Sequence, residues 1–419
     1  MECNADKTLE NVLTPRQVHH ILQQAAGDGW RLVHSVIKRA SNGLSGFLGD
    51  HFRVTFDVTI GDCAKKVNLF VKSMPLSNKP KAKFIDENSY FRREMIMFEV
   101  FGTMQADADE SSPWCAPAYI CTDNIVVMPD LLYRGYRQRP PLDYLDLRHT
   151  LLTTASIARF HAAFANYETK RALNGHLPFS QEYAHLLKEP TFRDSPWLHA
   201  AAKLTKNFLT AFSDKCCQYP SNLEEILIKL YTQACDSLTE SNSLNVALHK
   251  DLWVNNIMFK YEGHTPVNAL LIDFQCIRYG PPAYDLLIFL YLTTSRSFRR
   301  KYESMIFRHY YVIFSENIDD KTKVRIQTLG YDFDDFVGWC HKARMFGIME
   351  TIGIFPYVLM EPSLAQKTFD DPATFTKYCD EDRSEPVLGH ARESAPYRLR
   401  QLEVAEEFVE RYVLERPNQ

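Results

Sequence analysis

The chain has 419 residues, 45% of them hydrophobic, and its 48 basic and 52 acidic side chains leave a net charge of −4. That length and apolar content suit two lobes or domains rather than one unit, and the near balance of charge excludes the basic footprint of a nucleic-acid or anionic-membrane binder. The opening MECNADKTLENVLTP carries acids where a signal peptide needs an apolar core, and no apolar run reaches the roughly 20 residues that span a bilayer. Ten scattered cysteines, with Cys216-Cys217 the sole adjacent pair, lack C-x-x-C spacing. The expectation is a cytoplasmic protein with mostly buried free thiols, no membrane span, no nucleic acid and no obligate protein partner.

In chain order, a helix opens at a Thr14-Pro15 cap. Residues 43-GLSGFLGDHF-52 space Gly43, Gly46 and Gly49 three apart; their amides would cover phosphates or simply form a glycine-rich turn. The run 52-FRVTFDVTI-60 alternates like a half-buried strand, and Gly61-Asp62 leads to 66-KVNLFVK-72, a hairpin partner across a connection longer than a tight turn. Phe91, Met95, Phe98 and Phe101 fall at helical spacing in 89-SYFRREMIMFEVFGTM-104, and 125-IVVM-128 is a short buried strand. This is a small sheet with one helix against it. From about Pro140 the pattern is mostly helical, through 145–167, 222–238, 284–294 and 335–360, interrupted by the strands 246-VAL-248, 257-IMF-259 and 269-ALLI-272.

Those three strands bracket 249-HKDLWVNN-256 and end on Asp273-Phe274-Gln275. Phosphoryl transfer from ATP needs a carboxylate to accept the proton of the attacking hydroxyl, with a carboxamide and a second carboxylate to hold Mg²⁺ on the phosphates. Asp251 fits the base, and Asn256 and Asp273 fit the metal ligands. The bland alternative is that all three cap turns. Upstream, Lys72 ends an apolar strand where it would reach the phosphates, and Glu94 lies 22 residues later on the next helix as its partner.

With these residues in view, VALHKDLWVNNIMF, ALLIDFQCIRYGPPAYDLLIFLYLTTS, LFVKSMP with its downstream F-x-x-E helix, and SIARFHAAFA resemble the ecdysteroid kinase-like family of small-molecule phosphotransferases, relatives of choline and aminoglycoside kinases. The resemblance implies an α+β, two-lobed protein-kinase-like fold. It divides the chain into a small lobe over residues 1–125, a link over 126–136 and a helical lobe over 137–419. ATP and Mg²⁺ would lie in the cleft against Lys72, Glu94, Asp251, Asn256 and Asp273, with Gly46 and Gly49 over the phosphates and Met128 and Asp130 of the link beside the adenine. His249 would be structural and Asp285 would brace its loop. Where the family usually carries Glu-Asp-Leu, this link reads VVMPDLL, and Pro129 has no N–H to offer.

The stretch from Asp273 to a helix near Tyr284 leaves no room for a peptide platform. The acceptor is therefore expected to be a small hydroxyl compound, by the resemblance an apolar one such as an ecdysteroid. Trp339, Phe346, Met349, Phe355, Tyr357 and Met360 either line its pocket or are plain core. Two other readings stay open: a catalytically silent kinase fold that only binds, and a kinase for a cationic alcohol such as choline.

Overall fold

The computed structural model describes residues 9, 12–40, 48–105 and 113–415. Helix α1 (Pro15–Ala26) starts at the expected cap: Thr14 Oγ1 accepts from the Gln17 N–H and Gln17 Oε1 accepts from the Thr14 N–H. Five strands, β1 (Trp30–Arg39), β2 (Asp50–Ile60), β3 (Cys63–Ser73), β4 (Ile120–Cys121) and β5 (Ile125–Pro129), form an antiparallel sheet of order β1-β2-β3-β5-β4. Ile60 pairs with Cys63 across Gly61-Asp62, so the hairpin closes on a two-residue turn, tighter than the sequence spacing suggested.

The period of two along β2 and β3 decides what reaches the cleft. Phe52, Val54, Phe56 and Val58, with Val67, Leu69 and Val71, pack on Val18, Ile21 and Leu22 of α1. The alternate residues His51, Arg53, Phe70 and Lys72 face the cleft. A slip of one residue would bury the lysine in the α1 layer instead. On the cleft side, α2 (Lys79–Glu87) and α3 (Tyr90–Gln105) place Ile85, Tyr90 and Phe91 against Val126 and Met128. Of the expected α3 stripe, Phe91 and Phe101 are buried while Met95 and Phe98 are half-buried.

After β6 (Tyr136–Arg137), helices α4 (Leu147–Leu173), α5 (Phe179–Glu182), α6 (Pro196–Phe212) and α7 (Leu223–Ser237) precede β7 (Val246–Leu248) and the hairpin β8 (Ile257–Glu262) and β9 (Thr265–Leu271). After β10 (Arg278–Gly280) follow α8 (Ala283–Thr293), α9 (Arg296–Asn317), α10 (Asp320–Thr328), α11 (Phe333–Val358), α12 (Pro362–Phe369), α13 (Ser384–Glu393) and α14 (Ala395–Val409). The fold is thus α+β and two-lobed, a protein-kinase-like arrangement with a small antiparallel sheet above a mostly helical body. Helix α8 is buried along its whole length, and α11 crosses it at Gly347, where a Cβ would stand 3.1 Å from the Leu287 backbone. Any larger residue there would push the two central helices apart.

The structure decides one open reading and changes one expectation. Phe346, Met349, Phe355 and Met360 are core residues and Trp339 packs half-buried against the core, so Tyr357 alone of that stripe lines the cleft. The nine described cysteines are free, but Cys115, Cys235, Cys340 and Cys379 are the buried ones, whereas Cys63, Cys216 and Cys217 are exposed. Among the described residues no single helix is long and apolar enough to cross a membrane.

The lobes are joined by polar contacts as well as by the link. Lys81 of α2, fully buried, donates to Asp370 Oδ1 at 2.8 Å, and Asn78 Nδ2 donates to Asp370 O at 2.7 Å. Tyr90 Oη lies 2.9 Å from Thr191 Oγ1, and Arg93 Nη2 donates to Lys188 O at 2.6 Å. Because hydrogen bonds to charged groups contribute about 1.5–3 kcal/mol, Asp370→Ala should lower unfolding free energy by about 1–3 kcal/mol. Replacing both partners with apolar residues is far less costly than removing one, so Lys81→Met with Asp370→Leu should recover at least half of that loss in denaturant titrations. Additive losses in the double variant would show that the pair is not coupled.

Candidate active site

Lys72 lies opposite His51 of β2 and Val126 of β5, with its side chain buried under the sheet. Its Nζ donates to Glu94 Oε2 at 2.7 Å, to Asp273 Oδ1 at 2.6 Å and to Gln275 Oε1 at 2.8 Å. Burial alone would depress its pKa, but Asp273 and Glu94 outweigh it and hold the ammonium well above the ordinary range. Burial raises the pKa of Glu94 against the pull of Lys72. Burial, reinforced by Lys72, also pushes His51 down to about 4, leaving it neutral beside the lysine. Gly49 has φ +149°, and a Cβ there would stand 3.3 Å from Lys72 Cγ, so the chain passes over the lysine stem at glycine distance. Gly43 and Gly46 lie outside the described residues.

The loop after β7 is hung from Asp285 on the first turn of α8. This fully buried carboxylate accepts the His249 N–H at 2.7 Å and the Lys250 N–H at 2.8 Å, and His161 Nε2 lies 3.1 Å away. His161 Nδ1 is in turn 2.7 Å from Tyr310 Oη. His249, whose pKa burial lowers, accepts the Asp251 N–H on Nδ1 at 3.3 Å, so Nε2 carries the proton and donates to Ile272 O at 2.9 Å. That bond ties the loop to the end of β9. Lys250 and Asp273 both sit in the left-handed region, at φ +60° and +72°, a costly conformation for non-glycine residues that the surrounding bonds must hold.

Asn256 Nδ2 donates to both Asp251 O and Asp251 Oδ2, at 2.8 and 2.9 Å. Burial first, then the charge of Asp273, pushes the Asp251 carboxyl up to about 7, against the opposing pull of Lys250 and of the Asn256 bond. Asp251, Asn256, Lys72, Glu94 and Asp273 all line one cavity of about 630 Å³. One end lies beneath the sheet, against Leu48, His51, Phe70 and Met128; the other lies against α11, at Ile354, Tyr357 and Val358. Asp130 is not at the cavity wall. Its Oδ1 accepts the Leu132 N–H, its Oδ2 lies 3.1 Å from Arg53 Nε, and its own N–H bonds Asn68 O. The residue expected at the nucleotide is instead consumed in shaping the link.

A second group of charges was not visible in the sequence. Lys250 Nζ bonds both oxygens of Glu189, at 2.9 and 3.1 Å, and Arg278 Nη1 reaches Glu189 Oε2 at 3.1 Å. Against the upward push of burial, those two cations hold the Glu189 carboxyl down to about 2. Glu350 completes the group from α11, with Lys250 Nζ 3.8 Å away. No local pattern marks these residues, because they meet only through the packing of four separated segments.

The residues present suit a magnesium nucleotide. Two carboxylates surround one ammonium at Lys72, a surplus of negative charge that a further cation would balance. With Nδ2 spent on Asp251, the carboxamide oxygen of Asn256 makes no hydrogen bond among the described residues, and Asn256 lines the same cavity as Asp273; Mg²⁺ bound through few protein oxygens plus phosphates requires no more than that. Among the described residues no group of three or more His, Cys, Asp or Glu could hold a metal without a ligand's help.

Comparison with curated protein sequences finds none that matches. Among solved structures the chain is similar to an ethanolamine kinase from Plasmodium vivax, at 12% identity over 93% of this chain and 87% of that one, with a TM-score of 0.40. It is similar also to an aminoglycoside 2′-phosphotransferase solved with GDP, at 10% identity over 95% and 99% with a TM-score of 0.37. A microcompartment-associated aminopropanol kinase matches at 12% over 84% and 98%, with a TM-score of 0.31. The model of the ecdysteroid kinase-like family matches residues 44–321, a span that holds β2, β3, the loop after β7 and the end of β9. With about two-thirds of its length so matched, the chain belongs to the ecdysteroid kinase-like family of small-molecule phosphotransferases.

Proposed function

We propose that the protein transfers the γ-phosphoryl group of ATP, as its magnesium complex, to a hydroxyl of a small, uncharged, largely apolar alcohol, with ecdysteroids and related lipophiles as the leading candidates. The observation that carries this reading is the placing of Asp251, with a carboxyl poised near 7, on the same cavity as the Lys72, Glu94 and Asp273 cluster. The bound magnesium nucleotide supplies the electrophilic phosphoryl group. Lys72, fixed by Glu94, would neutralise phosphate oxygens, Asp273 and Asn256 would hold the metal, and Asp251 would orient the acceptor hydroxyl and take its proton. We take the small lobe as residues 1–125, the link as 126–136 and the helical lobe as 137–419.

The acceptor class follows from the walls. Helix α8 begins ten residues after Asp273, at Ala283, which leaves no platform for a peptide. Phe192, Trp197, Trp253, Ile354, Val358 and Phe375 line the cavity, so binding would rest on buried apolar area with a few polar contacts for orientation. A silent fold is disfavoured by the intact set of Lys72, Glu94, Asp251, Asn256 and Asp273.

Asp251→Asn should keep nucleotide affinity and lower kcat by about 10²–10⁴; turnover within a few-fold of wild type would remove Asp251 from the chemistry. Only the ionised carboxylate accepts a proton, so kcat/KM should fall about tenfold per unit as pH drops below a midpoint near 7. Since Asp273 raises that midpoint, residual activity of Asp273→Asn should titrate at lower pH. The same variant should weaken magnesium-nucleotide binding, and a titration with unchanged affinity would contradict the ligand assignment.

A further inference from the structure

The cavity wall contains a buried carboxyl group whose oxygens make no hydrogen bond among the described residues. Glu350 lies on α11 one turn past Gly347 and is fully buried, yet it lines the cavity. Neither of its carboxyl oxygens has a hydrogen-bond partner among the described residues. Lys250 Nζ is 3.8 Å off, beyond hydrogen-bond reach, because its bonds are directed to Glu189. A buried carboxyl group without partners is costly, and a cavity-facing one is relieved by whatever fills the cavity. We propose that Glu350 anchors the acceptor by hydrogen-bonding a second oxygen of it, remote from the hydroxyl that Asp251 addresses, so that the substrates are neutral diols or polyols on an apolar skeleton. This rests on the phosphotransfer reading of the same cavity.

The surroundings select a neutral partner over an ammonium. Lys250 already brings a cation to this wall, with Arg278 sharing its partner Glu189, and an ammonium at Glu350 would sit against Lys250. The ring face of Phe192, which lines the same wall, is covered by Lys250 Nζ at 4.2 Å from its centroid, so that face is not free to cage a cation. Burial, with Asp251, Glu189 and Asp285 close by, raises the pKa of Glu350 well above the carboxylate range despite Lys250. In the neutral form the group both donates and accepts, as a hydroxyl does, and a neutral acid gives an ammonium little.

The test compares Glu350→Gln and Glu350→Leu with wild type on three probes of one skeleton: a diol, the mono-alcohol that lacks the second hydroxyl, and the amino alcohol that replaces it. Binding is read without nucleotide from the fluorescence of Trp197 and Trp253, which line the cavity, and KM is read in turnover. We expect Glu350→Gln to keep diol affinity within about threefold, and Glu350→Leu to collapse the diol's advantage over the mono-alcohol from tenfold or more to near unity. Glu350→Leu should melt no lower than wild type, since it removes a buried carboxyl group that makes no hydrogen bond among the described residues and leaves Lys250 its two bonds to Glu189. Three results would overturn the assignment: a diol advantage that survives Glu350→Leu, a melting temperature several degrees lower with equal losses for diol and mono-alcohol, or an amino alcohol that binds best and loses tenfold in Glu350→Gln. Diol binding that depends on Glu350 without transfer to any alcohol would sink the phosphotransfer reading alone.

Discussion

The ammonium of Lys72, buried between Glu94, Asp273 and Gln275, is the contact on which the rest of the structure turns. It joins β3, α3 and the segment after β9, three elements that are 22 to 203 residues apart along the chain. A charge taken this far out of water is sustained only by close opposite charges and hydrogen bonds. Its partners must therefore be held as firmly as it is. That requirement explains why Asp273 is kept at a positive φ and why glycine stands where the chain crosses the lysine stem.

The second half of the site is secured in the same manner, by one buried carboxylate. Asp285 holds two successive amides of the loop after β7, His249 locks that loop to Ile272, and Asn256 orients Asp251. Asp251 needs no partner of opposite charge, and burial beside Asp273 brings its carboxyl into the range useful to a base at neutral pH. Two carboxyl groups on one cavity are thus both raised by burial, Asp251 to about 7 with the charge of Asp273 beside it, and Glu350 well above the carboxylate range against the pull of Lys250.

Much of this was legible because local pattern and tertiary role coincide. The alternation in 52–60 and 66–72 both builds the hairpin and aims Lys72, and the short strands around 249–256 give the polar loop its meaning. Strand β1 escaped notice because WRLVHSVIKR mixes charged residues through a half-exposed surface with no clean alternation. Helix α2 escaped because it buries only Lys81 and Ile85, one of them polar. The aromatic stripe of α11 was ambiguous in sequence, since a helix buried on most sides carries apolar residues on every face; packing sent all but Tyr357 away from the cleft. The cluster of Glu189, Lys250, Arg278 and Glu350 has no sequence signature at all, since its members meet only through packing.

The central claim is group transfer to a neutral alcohol, and isotope transfer addresses it most directly. The purified protein, given ATP labelled in its γ-phosphoryl group, magnesium and a panel of neutral lipophilic alcohols alongside cationic ones, should place the label on an oxygen of a neutral alcohol. Label recovered only in ATP or inorganic phosphate across the panel, or only on a cationic acceptor, would contradict the account.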